Sequence, residues 1–514
     1  MMFRNGMNRR RFLQATAAGG GLVLAGCAAE GAKTGGNRNA LRLGIGGGST
    51  TDSLDPRTYT DTFAFVVGYQ IMNGLIEIDE NRKPAPELLE SWEAKPGAAE
   101  WVFNVRKGIT FHNGKTLDAD DVIYSINMHR QSDKFPAYAS LATITGIRKL
   151  DDHQIAISLS EGNADLLYVL ADYHMMVVPD GFSDWSYPIG TGAFRFESFT
   201  PGVSATTVRQ PNYWKSGRGR VEAVESLVIN STRARTSALI SGEVDIINRV
   251  NVFDVDRLKA ASGTRVVQGA GGYHCDLPMM VDREPFKDVN VRRALKASID
   301  RGAALKLLFA GHGRVGNDHP IPETDPYFNN ELQQTVYDPE KVKFHLKQSG
   351  LSSLQVTLRA SEATFEGATR YADAFAAQAR QAGIDLSVMD VDDNRFWDDV
   401  WLVEPFVVSY WGGRPAATQM LEVAYASGAR WNETHWQNAK FDDLLKTAKT
   451  EIEPAKRKQA IWEMQAMLHD DGGVIIPAFK DWVDAHGPRV KGYVPPSNFD
   501  LGNGRIAEKV WLEG

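Results

Sequence analysis

Apolar and polar residues alternate along "LRLGI" at residues 41–45, a pattern that predicts a half-buried strand running into the loop "GGGSTTDSLDP". A fuller run of elements comes later. In "LQVTLR" (354–359) Leu354, Val356 and Leu358 share one face, and from Phe365 onward the spacing changes to three and four. Ala368, Ala372, Phe375, Ala379 and Ala382 then line one side of a helix, and Gly383 supplies the left-handed residue that ends it. Alternation returns in "IDLSVM" (384–389), so strand, helix and strand predict a right-handed crossover joining a parallel pair. A second helical stretch at about 394–403 and the buried strand "FVVSYW" (406–411) extend the pattern, which makes this an α/β region.

Two further helices carry explicit start signals. Asp338 before Pro339 supplies a cap and a first-turn proline, with Gly350 as the stop. Pro454 opens a helix that turns Ile461, Met464, Met467 and Leu468 inward, and "VIIPAF" (474–479) follows as a strand. Residues 79–187 have a different texture. Short strands such as "EWVFNVR" and "HQIAISL" mix with helices such as "DADDVIYSINMHR", where Asp118 can cap and Val122, Ile126 and Met128 face a core. This predicts a smaller α+β insert, and no repeat period emerges along the chain.

Composition narrows the function. The chain has 514 residues, which predicts about three domains, and 43% hydrophobic against 24% charged residues is globular. The net charge of −7 gives no footing for nucleic-acid binding. At the N-terminus, "NRRRFLQ" (8–14) precedes the weakly apolar "ATAAGGGLVLAG" and Cys27, the pattern of a twin-arginine export signal. The tetrapeptide "LAGC" (24–27) also resembles a lipobox, which marks Cys27 for lipidation and residues 1–26 for removal. Their loss takes away four arginines and no acids, leaving an acidic, extracytoplasmic chain. Residues 27–40 read as a flexible tether. With Cys27 lipidated, Cys275 has no partner, so packed cores rather than disulfides hold the fold.

Catalytic signatures are missing from the sequence. It contains no H-E-x-x-H, no G-x-S-x-G and no paired-cysteine metal motif, and the Gly-rich loop after residue 45 lacks phosphate-binding spacing. No metal and no cofactor is expected. His112 in "FHNG" reads as a structural turn residue, and Asp392/Asp393 and Asp398/Asp399 as solvated acids rather than an acid/base pair. The stretch "YWGGRP" (410–415) is the strongest candidate pocket, combining rings, bendable backbone and a guanidinium after a buried strand. In parallel α/β sheets ligands collect at the carboxyl ends of strands, where this loop is expected. Tyr410, Trp411, Gly412 and Arg414 are the primary candidates, with one face of Trp411 expected free. Tyr273, His274 and Trp397 are secondary, and Trp401 stands beside them.

Several segments resemble the solute-binding receptors of bacterial ABC importers in the peptide-binding group, which includes oligopeptide-, dipeptide- and nickel-binding members. They are "PELLESWE…WVFNVRKGITFHNGKTLDADDVIYS" (86–125), "GTGAFRFESFTPG" with "RQPNYW" (190–214), "FKDVNVRRALKASIDR" (286–301) and "YDPEKVKFHLKQSGL" (337–351). The resemblance implies a two-lobed periplasmic-binding-protein fold with a third subdomain, closing on ligand as a hinged clamp. It places the first lobe at 41–78, 188–268 and 474–514, the insert at 79–187 and the second lobe at 269–473, with crossings near 269–277 and 471–474. It also implies capture without chemistry, a short-peptide or small-molecule ligand, ABC permease subunits as partners, and a monomer touching the membrane only through lipid. Dipeptide-binding relatives carry an acid after Trp-x-Gly, where this chain has Arg414. That cation points to an anionic group at this end of the ligand, a small peptide-like or anionic amino-acid-derived solute, or to an ion pair with a protein acid. An exported hydrolase acting on a similar solute is the alternative.

Overall fold

Strand Ala40–Ile45 forms where alternation predicts it, with Leu41, Leu43 and Ile45 fully buried. The computed structural model describes residues 39–513, so the signal segment, Cys27 and most of the tether lie outside the described residues. This first strand runs parallel to Ala223–Val228 and Ile246–Ile247 within a nine-stranded mixed sheet. Helix Thr62–Ile71, capped by the Asp61 carboxylate, is buried along its whole length and packs with Leu43, Phe194 and Val224. In the glycine loop after Ile45, the amides of Gly46, Gly47 and Gly48 donate to Asn248 and Asn230. These amides are occupied by the protein itself, in keeping with the absence of phosphate-binding spacing.

Strands Arg265–Pro278 and Val474–His486 are the long members of this sheet, paired antiparallel from Arg265 opposite His486 to Pro278 opposite Val474. Regular pairing breaks between Gly269 and Tyr273, opposite Trp482 and Lys480. The strand "VIIPAF" is therefore the first half of a longer element.

The α+β stretch folds around its own core. Leu89–Ala94, Glu100–Val105, Gln154–Leu159 and Ile144–Asp151 form a four-stranded antiparallel sheet in that spatial order. Helix Ala119–Met128 covers it, and Asp118 and Asp121 complete a reciprocal capping box. Phe103, Val122, Ile126, Leu141 and Ile155 meet beneath the helix, each contributing about 1.5–3 kcal/mol by leaving water.

The predicted crossover is present. Leu354–Ala360 and Ile384–Asp390 pair in parallel, helix Ala368–Gln381 connects them, and Gly383 has φ 92°. Leu354, Val356, Leu358, Phe375 and Ala379 share a core. Asp338 caps helix Pro339–Gln348 through the amides of Glu340 and Lys341. Two expectations change. The 394–403 stretch forms a single π-helical turn, Phe396–Val400. The "FVVSYW" segment divides its pairing: Val407 bridges Arg359 in parallel, whereas Ser409–Trp411 runs antiparallel to Arg265–Pro278. The segment thus stitches the parallel pair onto the long mixed sheet.

Candidate ligand-binding site

The backbone around "YWGGRP" is set by its antiparallel partner. His274 pairs with Trp411 and Cys275 with Tyr410, and the chain then leaves the sheet at Gly412. A Cβ on Gly272 would lie 2.9 Å from the Gly413 Cα, so both glycines are needed for the two backbones to approach this closely. On one face, Tyr273 stacks on Tyr410 at 5.3 Å between ring centres, and Trp397 meets Tyr410 edge-on at 6.0 Å. Lys480, paired with Tyr273 across the sheet, holds its ammonium 5.9 Å from that ring.

Tyr273 and Lys480 border a cavity of about 360 Å3. Tyr273, Lys480 and Trp482 come from the long strands, Arg249 and Phe253 from the loop after Ile246–Ile247, and Phe309, Phe365 and Glu366 from the facing side. The lining is mainly apolar and aromatic with a few charges, the usual make-up of a small-molecule site. The cations differ in their commitments. Arg249 pairs with Asp61 and Asp500, and Arg235 donates to backbone carbonyls including those of Asn248 and Ile229. Lys480 has neither an ion pair nor a hydrogen bond among the described residues. Burial, reinforced by Arg249, pushes its ammonium below the ordinary lysine pKa.

Arg414 likewise lacks a carboxylate partner among the described residues, although it does make hydrogen bonds. It donates to the carbonyls of Gly412 and Gly413, lies 5.8 Å from the Trp411 ring, and makes no ion pair among the described residues. Burial lowers its pKa as well. The protein-acid alternative for this guanidinium is therefore not what the structure shows. Arg414 borders a second hollow of about 480 Å3 with Glu161, Asp172 and Glu422 in its walls.

Two expected contacts are corrected. Trp411 is only 6% exposed, and its indole N–H donates to Glu433 at 2.6 Å. The ring packs in a core with Met420, Leu421 and Ile476 and has no free face. His274, its register partner, is fully buried against Phe479, and desolvation lowers its pKa to about 4. Strand parity explains both: neighbours of Tyr410 and Tyr273 in sequence must point to the other side of the sheet. Glu433 also accepts from Trp401 and from Ser409 and lies against buried Asp276, and burial raises both carboxyl pKa values. The carboxylate thus clamps the underside of the loop. Of the sequence candidates, Tyr273 lines the cavity, Tyr410 stacks on Tyr273 and meets Trp397, Gly412 marks where the chain leaves the sheet, and Arg414 borders the second hollow.

Sequence reading missed Lys480, Arg249, Phe253, Phe309 and Trp482. A lysine closing a six-residue apolar run was the available signal for the first. Asp393 accepts from Ser361 and Ala363, and Asp399 pairs with exposed Arg395. His112 bonds the Gly192 carbonyl, as a turn residue does. No cluster of metal-ligating side chains occurs among the described residues, and no described helix is long and apolar enough to cross a membrane.

The family model for bacterial extracellular solute-binding proteins, family 5 middle, matches residues 83–432, well over half of the chain. Heme-binding protein A of Haemophilus influenzae is 26% identical over 475 residues, covering 84% of this chain and 86% of its own. The dipeptide-binding protein of Escherichia coli is 23% identical over 491 residues, covering 86% and 90%. Among solved structures, HbpA2 from Haemophilus parasuis shares the fold with a TM-score of 0.82 at 21% identity, over 92% of this chain and all of that one. These relatives carry the names of binding proteins, not of enzymes. The chain belongs to the bacterial extracellular solute-binding proteins of family 5, periplasmic proteins that bind peptides or related solutes for ABC import.

Proposed function

We propose that this receptor captures a small anionic solute, peptide-like or amino-acid-derived, and delivers it to an ABC permease. The observation that carries this reading is the pair of half-buried cations without carboxylate partners, Lys480 over the Tyr273–Tyr410 stack and Arg414 at the end of the loop. A desolvated cation left unmatched in the ligand-free protein gains from pairing with an anionic group of the ligand. A cavity of about 360 Å3 favours a compact solute, with its apolar part against Phe253, Phe309 and Trp482. Trp411 serves by holding the loop through Glu433. Calorimetric titration of wild type and Arg414→Ala with the co-purifying solute and its esterified form tests the charge recognition. Wild type should discriminate against the ester and Arg414→Ala should lose much of that discrimination; an ester bound equally well by wild type sinks the anionic reading.

Closure belongs to the same proposal. The crossings between lobes are placed at the break in regular pairing at Gly269–Tyr273 and the facing Lys480–Trp482, with the expected second crossing at 471–474 leading into the same strand at Val474. Ligand would then close the lobes directly over Lys480. Solution scattering should show a smaller radius of gyration at saturation, and an unchanged radius rules closure out. Export by the twin-arginine route and a lipid on Cys27 complete the proposal. Intact-mass analysis of membrane fractions should find acylated Cys27; an unacylated mature chain there removes the anchor.

A further inference from the structure

A separate pocket, of about 310 Å3, lies at the C-terminal seam and shares no lining residue with the cavity at Tyr273 or the hollow at Arg414. Arg218, Arg220, Lys509 and Trp511 line it, with Ser497 and Asn503 as polar neighbours and exposed Glu80 as its one carboxylate. Beneath it runs an ion-pair network that does not balance. Lys215 pairs with Glu77, Glu87 and Glu508, Arg218 with Glu77 and Glu508, Lys509 with Glu77, and Arg505 with Glu87. Four cations thus share three carboxylates. Arg220 adds a fifth positive charge: it stacks on Trp511 at 3.8 Å, donates only to the Lys509 carbonyl, and has no acid partner among the described residues. Among the lining side chains three cations face one carboxylate, Glu80, while Glu513, which accepts from the Trp511 indole, is paired with Lys491.

Guanidinium groups with donors left over match the geometry of a phosphate oxyanion, and a third cation adds to the attraction. Arg220 is held in place by the indole beneath it, so little side-chain freedom is lost on binding. We infer that this pocket is an anion site for a phosphate group, separate from the transported solute and built from Arg218, Arg220 and Lys509. Free phosphate and the phosphate headgroup of a membrane lipid offer the same chemistry.

The test uses the purified receptor with two probes. Inorganic phosphate is titrated calorimetrically at constant ionic strength, and co-sedimentation is measured with phosphatidylglycerol vesicles against phosphatidylcholine vesicles. Arg220→Glu is the variant, because the side chain is exposed and supports no part of the buried network. A phosphate affinity that falls at least tenfold in Arg220→Glu supports the site and assigns free phosphate. Selective phosphatidylglycerol binding that is lost in the variant, without a free-phosphate response, supports it and assigns the headgroup. Equal behaviour of wild type and variant with both probes, or no response to either, overturns it.

Discussion

Lys480→Met separates a ligand-binding cation from a structural one. The ammonium lies over Tyr273, has no carboxylate partner among the described residues, and is pushed toward its neutral form by burial and by Arg249. Methionine keeps the aliphatic stem and removes the desolvated charge. In the ligand-free protein the substitution should therefore be neutral or stabilising, by up to about 1–2 kcal/mol. With ligand the sign reverses. Loss of one partner from a desolvated charge pair costs about 2–5 kcal/mol, which corresponds to roughly a 30-fold to several-thousand-fold rise in Kd. Thermal unfolding without ligand and calorimetric titration with the co-purifying solute read the two effects separately. A variant that binds within twofold of wild type refutes the role assigned to Lys480. A variant that loses ligand-free stability refutes the claim that its charge is uncompensated in the empty protein.

Two further expectations concern the fold. Glu87 and Arg505, both essentially inaccessible, form a bidentate pair at 2.6 and 2.5 Å, and Glu87 also accepts from Lys215 and Asn73. Glu87→Gln should cost about 3–5 kcal/mol in denaturant unfolding, and a loss below about 1 kcal/mol contradicts the network. His129 and His319 are buried with both ring nitrogens unpartnered, and desolvation lowers each pKa to about 3. Their unfolded forms take up protons near pH 6.5 while the folded forms refuse them. Stability present above that pH is lost as pH falls toward 3, by about 1.4 kcal/mol per histidine per pH unit. His129→Leu should move the acid-unfolding midpoint to lower pH; an unchanged midpoint removes His129 from the acid response.

Local signals carried much of the fold and less of the site. The Leu354–Ala360 and Ile384–Asp390 pair was legible because its apolar residues alternate, and the connecting helix because Ala372, Phe375 and Ala379 hold helical spacing. The caps at Asp118 and Asp338 were legible because a short carboxylate before a helix has one clear use. The antiparallel turn of "FVVSYW" was not, since its partner lies about 135 residues away and no local pattern encodes that distance. The side of the sheet taken by Trp411 followed from the same pairing. Lys480 was hidden for a related reason: its strand continues past the apolar run through "KDWVDAH", and only the pairing with Tyr273 brings its ammonium to the cavity.

Native mass spectrometry of the receptor purified from its own cells, followed by release and identification of the bound molecule, tests the anionic-solute reading most directly. A single small solute with net negative charge, bound one to one and recovered chemically unchanged after incubation, is the expected result. A neutral or cationic solute contradicts the roles given to Lys480 and Arg414, and a chemically altered one contradicts capture without chemistry.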